Sequence, residues 1–297
     1  MIWCSGWKLA SAVSNAGGLG LIGSGSMHPE VLEKHIRKCK EATGKPFGVN
    51  VPLLYPQIEK IFQIIIHEGV KIVFTSAGNP ALWTIFLKEY GITVVHVVAN
   101  VKSVLKCEEA GVDAIVAEGF EAGGHDGKEE TTTLTLIPLV RKTTSLPLIA
   151  AGGIATGRAM LAAMILGADG VQIGTRFVAS EESSAHPSFK SKILEAGDGD
   201  TRLVMKKLVP VRLLKNLFLE RIQQLESAGA SAEELKKFLG TGRAKKGMFE
   251  GEMEEGELEI GQVSALIGEI KPAAAILEEI LSEYREACRK IAESDTF

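Results

Sequence analysis

The chain has 297 residues, of which 45% are hydrophobic and 24% charged, and its formal net charge is −4. A chain of this length can bury a large core in one or two domains. Its slightly acidic balance carries no basic footprint for nucleic acid, and no apolar run reaches the ~18 residues that span a bilayer. We therefore expect a soluble cytoplasmic protein that binds neither nucleic acid nor membrane.

The four cysteines are far apart in the sequence, and no pair has C-x-x-C spacing. They are Cys4, Cys39, Cys107 and Cys288. This pattern favours reduced thiols over a disulfide framework or a zinc site. We interpret Cys4 as a small buried residue rather than a nucleophile.

Seven short apolar segments recur along the chain and predict β-strands buried on both faces. Each is rich in β-branched residues and lacks the polar alternation of a half-exposed strand. They are "LGLIG" (19–23), "PFGVNV" (46–51), "KIVFTS" (71–76), "ITVVHVV" (92–98), "DAIVA" (113–117), "PLIAA" (147–151) and "GVQIGT" (170–175).

Helical patterns separate these strands. Pro29 stands at a first helical position, and Gly91 and Gly111 follow two helical segments at the glycine position of a C-terminal cap. Alternating strands and helices with short connections predict parallel strands with right-handed crossovers. The even spacing favours an α/β fold of the (β/α)8 TIM type over an open dinucleotide-binding sheet, because the glycines of "GLGLIGSGS" surround a strand instead of opening a helix.

The regular alternation stops near residue 180, so we predict a barrel over residues 1–180 and a helical appendage over residues 181–297. Residues 186–240 are interpreted as helices, one of them starting with a capping box of Ser231 and Glu234. The charged, glycine-containing stretch 243–262 is interpreted as a solvated loop. We expect the appendage to pack on the barrel and to help shape the substrate site.

Glycines cluster where two neighbouring strands end. Gly152 and Gly153 follow one predicted strand, and Gly174 and Thr175 follow the next. Loops at these ends form the usual phosphate site of such barrels, and backbone amides near a helix N-terminus bind anions. The pattern therefore predicts a phosphate group at this end of the barrel.

Several motifs together resemble the flavin-dependent enoyl-acyl-carrier-protein reductase II (FabK-type) family and its relative, nitronate monooxygenase. The motifs are "GVNV" (48–51), "TSAGNP" (75–80), "EGFEAGGHDG" (118–127), "AAGGI" (150–154), "QIGTRFVASEESSAH" (172–186) and "EGELEIGQVSALI" (255–267). The resemblance runs from about residue 1 to the end of the chain.

The resemblance implies FMN as cofactor and assigns a role to each matching residue. The FMN phosphate would lie on Gly152, Gly153, Gly174 and Thr175; Asn50 would face the flavin ring; Ser76 and Ala77 would contribute backbone contacts; and Glu118, Gly119 and Gly124 would line the flavin side of their loop. His125 matches the active-site histidine of both families. The glycines before it let the backbone approach closely, and an imidazole there can exchange a proton near neutral pH.

The resemblance also implies an activity. We expect reduction of the carbon–carbon double bond of enoyl-acyl-carrier-protein thioesters by NAD(P)H in fatty-acid synthesis. The expected partner is acyl carrier protein, and the resemblance further implies a homodimeric enzyme and a bound monovalent cation. One alternative is nitronate monooxygenase, in which His125 would be the base, and another is a flavin-binding scaffold without turnover. No His/Asp/Glu set has transition-metal spacing.

One strand of an eight-stranded barrel has no counterpart among the seven segments. The helical pattern "GWKLASAVSNAGG" (6–18) begins directly after the first residues, and Met1 falls where the resembling family has a Gly-Gly-Met turn after its first strand. We therefore expect an open barrel with weak stability and weak flavin retention, both improved by about 15–20 further upstream residues.

Overall fold

The protein, described over residues 2–293 by a computed structural model, is built on a seven-stranded parallel sheet. The strand order follows the chain, as consecutive right-handed crossovers require. The strands are β1 Gly20–Gly23, β2 Phe47–Pro52, β3 Ile72–Ser76, β4 Thr93–Val98, β5 Ala114–Glu118, β7 Leu148–Ala151 and β8 Gly170–Gln172, and the two-residue strand β6, Gly124–His125, lies outside this sheet. The sequence predicted all seven strands, six of them to within one residue at each end and the last with an end three residues too late, and the curled sheet confirms the TIM-type barrel class.

Helices cover the outer face of the sheet. They are α1 Trp7–Asn15, α2 Pro29–Ala42, α3 Ile58–His67, α4 Thr84–Glu89, α5 Val101–Ala110, α6 Thr133–Thr143, α7 Gly157–Ile165 and α8 Thr175–Val178. Pro29 opens α2, and Gly111 ends α5 in the left-handed region at φ 72°. Both observations match the sequence prediction, since each position suits its residue's backbone preference.

The main core lies between the sheet and these helices. Val49, Val73 and Val94 on the strands pack with Leu32 and Phe62 of the helices, and all five are fully buried. Parallel strands covered on one face by helices and on the other by barrel-interior side chains need apolar residues on both faces. This burial explains why the strand segments lack polar alternation.

The sheet has two edges within residues 2–293. Neither β1 nor β8 pairs with a second neighbour, and the two do not pair with each other. An apolar cleft of about 350 Å³ separates them, lined by Leu9 of α1 and Ile173 among others. The prediction of a seven-stranded, open barrel is confirmed for the described part of the chain.

The segment after residue 180 is helical but contains a small sheet that the sequence analysis missed. Its helices are α9 Pro187–Leu194, α10 Leu217–Ser227, α11 Ala232–Leu239 and α12 Ala273–Ala292, and its strands are β9 Thr201–Val204 and β10 Val211–Leu214. Strand β10 pairs antiparallel with both β9 and β6. The prediction of helices throughout residues 186–240 is therefore wrong over the two strands, whose four-residue length leaves no readable period.

The charged stretch 243–262 is not a solvated loop along its whole length. Glu257, Leu258 and Ile260 are buried, and the backbone of Leu258 accepts a hydrogen bond from the amide of Leu214 on β10. The prediction of a solvated loop from charge alone is therefore wrong for part of this stretch, because its acidic side chains alternate with apolar ones that pack against the protein. Among the described residues, no helix is both long and apolar enough to cross a membrane.

Candidate functional site

A cavity of about 150 Å³ opens where the carboxyl ends of β5, β7 and β8 meet. The register places Glu118 opposite Ala151 and Ala151 opposite Gln172, so the three strands end at one level. Five predicted site residues line the cavity: Glu118, Gly152, Gly153, Gly174 and Thr175. The fold thus brings the two predicted glycine loops together around one space.

The loop after β7 has room for glycine only. Gly152 and Gly153 both adopt positive φ, at 87° and 68°, and a Cβ on Gly152 would lie 2.4 Å from the carbonyl oxygen of Gly119. An L side chain is strained in this region and cannot occupy space already filled by backbone. The two residues therefore present bare backbone to the cavity.

The loop after β8 is tied to the chain's C-terminal third. The Thr175 hydroxyl accepts a hydrogen bond from the amide of Gly261 at 3.1 Å. A Cβ on Gly174 would meet no atom within 4 Å, so its flank of the loop is open. Amide and hydroxyl groups here remain in reach of an anionic group in the cavity.

Two backbone amides at the N-terminus of α7 already have partners within the protein. The amide of Gly157 donates to the Glu283 carboxylate of α12 at 2.7 Å. The Thr156 side chain accepts from the amide of Ala159 at 3.1 Å. Because these partners already satisfy the helix end, an anion at this place depends on the amides of the glycine loops instead.

Gln172 supplies a test of whether a flavin fits. Its side chain lines the cavity, and its buried Oε1 atom has no hydrogen-bond partner among the described residues. A buried acceptor without a partner indicates a missing donor. The imide N–H of a flavin is such a donor, and the bare glycine loops suit its phosphate, so the residues present fit FMN.

The loop that carries His125 is held by close backbone contacts. A Cβ on Gly123 would lie 2.3 Å from the backbone carbon of Ile260, and Gly124 adopts φ 84° against the Glu259 carboxylate. His125 itself pairs with Val211 through β6 and β10, and its side chain is exposed at the rim rather than lining the cavity. The glycines before His125 therefore allow a close approach of this loop to Glu259 and Ile260, whereas the predicted approach to the flavin stays a prediction.

Arg212 of β10 clamps the same loop. Its Nε and Nη2 atoms donate to the carbonyl oxygen of Phe120 at 3.1 and 2.7 Å, and its guanidinium lies over the Phe120 ring. The amide of Asp126 donates to the carbonyl oxygen of Pro210. Both ends of the His125 loop are thus fastened to the segment after residue 180.

The remaining predicted residues lie at neighbouring strand ends and do not line the cavity. Asn50 is buried, and its side-chain amide donates to the carbonyl oxygen of Phe74 at 3.2 Å. Ser76 ends β3, and Ala77 follows with φ 51°, a strained value for a residue with a Cβ. Gly119 is buried under Thr133, whose hydroxyl a Cβ would strike. Their assignments to the flavin stay predictions.

Carboxyl groups surround the loop in an environment that favours their neutral form. Burial, with the nearby Glu118 carboxyl, raises the pKa of Asp126 to about 9. Burial also raises the pKa of Glu118 and of Glu259. Neither oxygen of Asp126 has a hydrogen-bond partner among the described residues. Such shifts arise because a carboxylate loses hydration on burial, and they are common in functional sites.

Among the residues of the cavity wall that sequence reasoning missed are Gln172, Glu259 and Ile260. Gln172 ends a predicted strand at the same level as the glycine loops, and that placement could have revealed it. Glu259 and Ile260 arrive from a distant stretch that no local pattern connects to the barrel. Cys4 also lines the cavity, but burial raises the pKa of its thiol to about 12, which agrees with an unreactive residue.

Two other histidines have structural roles. His96 is buried in β4, where its Nδ1 lies 2.7 Å from the Thr75 hydroxyl, and burial lowers its pKa to about 4. His186 accepts from the amide of Ser188 at the start of α9. Both placements agree with the sequence interpretation of a core residue and a structural residue.

Known proteins are similar to this chain over most of its length. The family profile described as "Nitronate monooxygenase" matches residues 1–64 and 56–283. A solved structure titled "Structure of FabK from Thermotoga maritima" is 44% identical to this chain, with a TM-score of 0.93. That match covers 98% of this chain and 93% of the other.

Curated relatives are similar at lower identity. A Mycobacterium tuberculosis protein named (3aS,4S,5R,7aS)-5-hydroxy-7a-methyl-1-oxo-octahydro-1H-indene-4-carboxyl-CoA dehydrogenase is 35% identical over 80% of this chain and 67% of its own length. A Bacillus subtilis protein named "Probable nitronate monooxygenase" is 35% identical over 74% of this chain and 76% of its own length. The similar proteins thus carry the names of more than one activity.

Proposed function

We propose that this chain binds FMN and reduces enoyl-acyl-carrier-protein thioesters with NAD(P)H. The chain belongs to the nitronate monooxygenase family and is a flavin-dependent oxidoreductase. The observation that carries this choice is the 44% identity to FabK across 98% of the chain. That match includes the segment after residue 180, which supplies Glu259 and Ile260 to the cavity.

In this proposal, the glycine loops hold the cofactor. The backbone of Gly152, Gly153 and Gly174, with the Thr175 hydroxyl, binds the FMN phosphate, and Gln172 accepts from the flavin ring. When bound, FMN supplies two-electron transfer from a reduced nicotinamide to the substrate. The fit of Gln172 and of the bare glycine loops supports this arrangement.

His125 acts on the substrate rather than on the phosphate. It lies at the cavity rim, on a loop that Arg212 and β10 fasten, and its imidazole can stabilise negative charge that develops on the thioester carbonyl. Residues 181–293 then form a substrate-shaping appendage to the barrel of residues up to 180, because β10 and the stretch 257–261 complete the site.

Nitronate oxidation is the second candidate, and the family profile favours it. It would use the same cavity and His125 as a base, with oxygen as the electron acceptor. A flavin-binding protein without turnover is the third. The three differ in what reduces the flavin and what reoxidises it.

The cofactor is tested by mass spectrometry of the compound that denaturation releases. FMN is expected, because one phosphate cradle adjoins the cavity. Release of FAD would contradict the cofactor assignment, and so would a protein that takes up no flavin after reconstitution.

The reaction is tested by side-by-side assays of the flavin-loaded protein. Without oxygen, NAD(P)H should bleach the flavin quickly, and an enoyl thioester on acyl carrier protein should restore its colour. Turnover of a nitronate with oxygen, without enoyl reduction, would establish the second candidate. If neither the substrate nor the nicotinamide reduces the flavin, only the third candidate remains, a flavin-binding protein without turnover.

A further inference from the structure

Glu259 reaches the cavity more directly than His125 does. Its side chain lines the cavity together with Glu118, whereas the exposed His125 ring lies at the rim. A Cβ built on Gly124, the residue before His125, would lie 2.6 Å from Glu259 Oε2. The carboxyl group is therefore packed against the backbone of the His125 loop and faces the space where a ligand would bind.

The backbone around Glu259 holds it firmly in this place. Its neighbour Leu258 accepts from the amide of Leu214, and Glu259 itself bridges to Leu213 of β10. Two residues further on, Gly261 donates to Thr175, and Gln262 donates to the carbonyl oxygen of Glu121. Within residues 2–293, no group forms a hydrogen bond with the Glu259 carboxyl group.

The groups facing Glu259 are mostly acidic or neutral. They are His125, Asp126 and Glu118 from the loop after β5, Glu257 from its own stretch, Tyr55 from the loop after β2, and Cys4 near the N-terminus. Burial raises the pKa of Glu259, and Glu259 helps to raise the pKa of Glu257 to about 8. The electrostatic interaction of Glu259 with His125 opposes this shift.

We infer that Glu259 is a proton donor of this site, a carboxylic acid that faces the bound substrate beside His125. The inference rests on the proposed function and deepens it. Burial raises the pKa of Glu259. A carboxyl group with a raised pKa is suited to general acid catalysis, because it keeps its proton to a higher pH than an exposed glutamate does.

The proposed reaction adds one hydride and one proton across the double bond. With FMN bound, NAD(P)H would supply one hydride, which carries both electrons, to the β-carbon of the enoyl thioester, and the double bond would be lost as the α-carbon takes a proton. The Glu259 carboxyl O–H bond breaks, its proton forms the new C–H bond at the α-carbon, and a solvent proton restores the acid. His125 stabilises the negative charge on the thioester oxygen during this transfer.

The test compares Glu259→Gln with a matched control, Glu254→Gln. Glu254 belongs to the same stretch but is exposed and distant from the cavity lining. Glutamine keeps the shape of residue 259 and cannot donate a carboxyl proton. In rapid-mixing experiments, Glu259→Gln should reoxidise its reduced flavin about 10²-fold more slowly with an enoyl thioester. The wild-type reoxidation rate should fall as the pH rises through the raised pKa of Glu259. The reoxidation rate of Glu259→Gln should not show this fall.

Infrared difference spectroscopy gives a readout that needs no turnover. A protonated carboxyl band should be present at neutral pH in the wild type and in Glu254→Gln, and it should be weaker in Glu259→Gln. An unchanged reoxidation rate, or an unchanged carboxyl band, would overturn the inference. If the wild type does not reduce enoyl thioesters at all, the proposed function fails, and the infrared band alone then decides whether Glu259 is an acid.

Discussion

The cavity has two walls that the chain builds in different ways. The wall of Gly152, Gly153 and Gly174 is made by loops that directly follow β7 and β8, and its shape depends on backbone conformation. The wall around His125 is made by a loop of the barrel together with β10 and residues 257–261 from the distant C-terminal third. One wall is local, and the other is assembled.

The difference separates binding from chemistry. Bare backbone near a pair of loops suits a phosphate, which any chain with the right glycines can provide. The assembled wall collects an imidazole, carboxyl groups and an arginine. The pKa values of Asp126 and Arg212 depend on burial and on each other. Changes in the first wall should therefore weaken cofactor binding, and changes in the second should alter rates or pH dependence.

The largest effect is expected for Gly152→Ala. The new Cβ would lie 2.4 Å from the Gly119 carbonyl oxygen in a backbone region unfavourable to alanine. We expect FMN to bind at least about tenfold more weakly, as measured by flavin fluorescence on titration of the apoprotein. Gly170→Ala is the control, since a Cβ there meets nothing within 4 Å. Equal affinities in both variants would show that the loop after β7 does not hold the cofactor.

His125→Ala should distinguish the role of the wall around His125 from that of the glycine wall. The side chain is exposed at the rim, so its loss should leave FMN affinity unchanged. The half-reaction with an enoyl thioester should slow by about 10²–10⁴-fold, the usual range for a lost acid–base group. Anaerobic rapid mixing measures this rate, and a parental rate would remove His125 from the chemistry.

Arg212→Met should have a smaller effect through the position of the loop. The guanidinium group donates twice to Phe120, and the amides and carbonyls around it belong to the His125 loop. We expect kcat to fall about ten- to a hundredfold with little change in FMN affinity, because small displacements of a reacting group are costly.

Arg202→Met is the matched control for Arg212, because Arg202 lies on β9 in the same sheet with an exposed side chain. Hydrogen exchange of residues 118–127 should rise in Arg212→Met alone. If exchange and kcat stay at the parental values, the clamp has no role in positioning.

Asp126→Asn should change only the pH dependence of stability. The folded protein keeps the Asp126 proton up to a pKa of about 9, whereas the unfolded chain releases it near the ordinary value. The unfolded state then binds fewer protons, so wild-type stability falls as the pH rises through this window. From about pH 6 to about pH 8 the wild type should lose up to about 3 kcal/mol more than Asp126→Asn.

Urea denaturation at each pH measures this difference, with the exposed Asp198→Asn as control. Parallel stability curves for the wild type and Asp126→Asn would mean that Asp126 is ionised in the folded protein.

The sequence by itself determined the barrel and the local wall of the cavity. Apolar segments report burial wherever they stand, and Gly111, Gly152 and Gly153 are required by backbone angles within a few residues. The close approach at Gly123 and Gly124 was also readable, although its cause was not, since the contacting atoms belong to residues 259–261.

Only the tertiary structure decided the assembled wall. The pairing of β10 with the His125 loop, the clamp by Arg212 and the arrival of Glu259 join residues that are 85 or more positions apart. Acidic residues in a charged stretch normally face water, and nothing local distinguishes Glu259 from Glu254. The difference arises from burial against the barrel, which sets the solvation, and hence the protonation, of each carboxyl group.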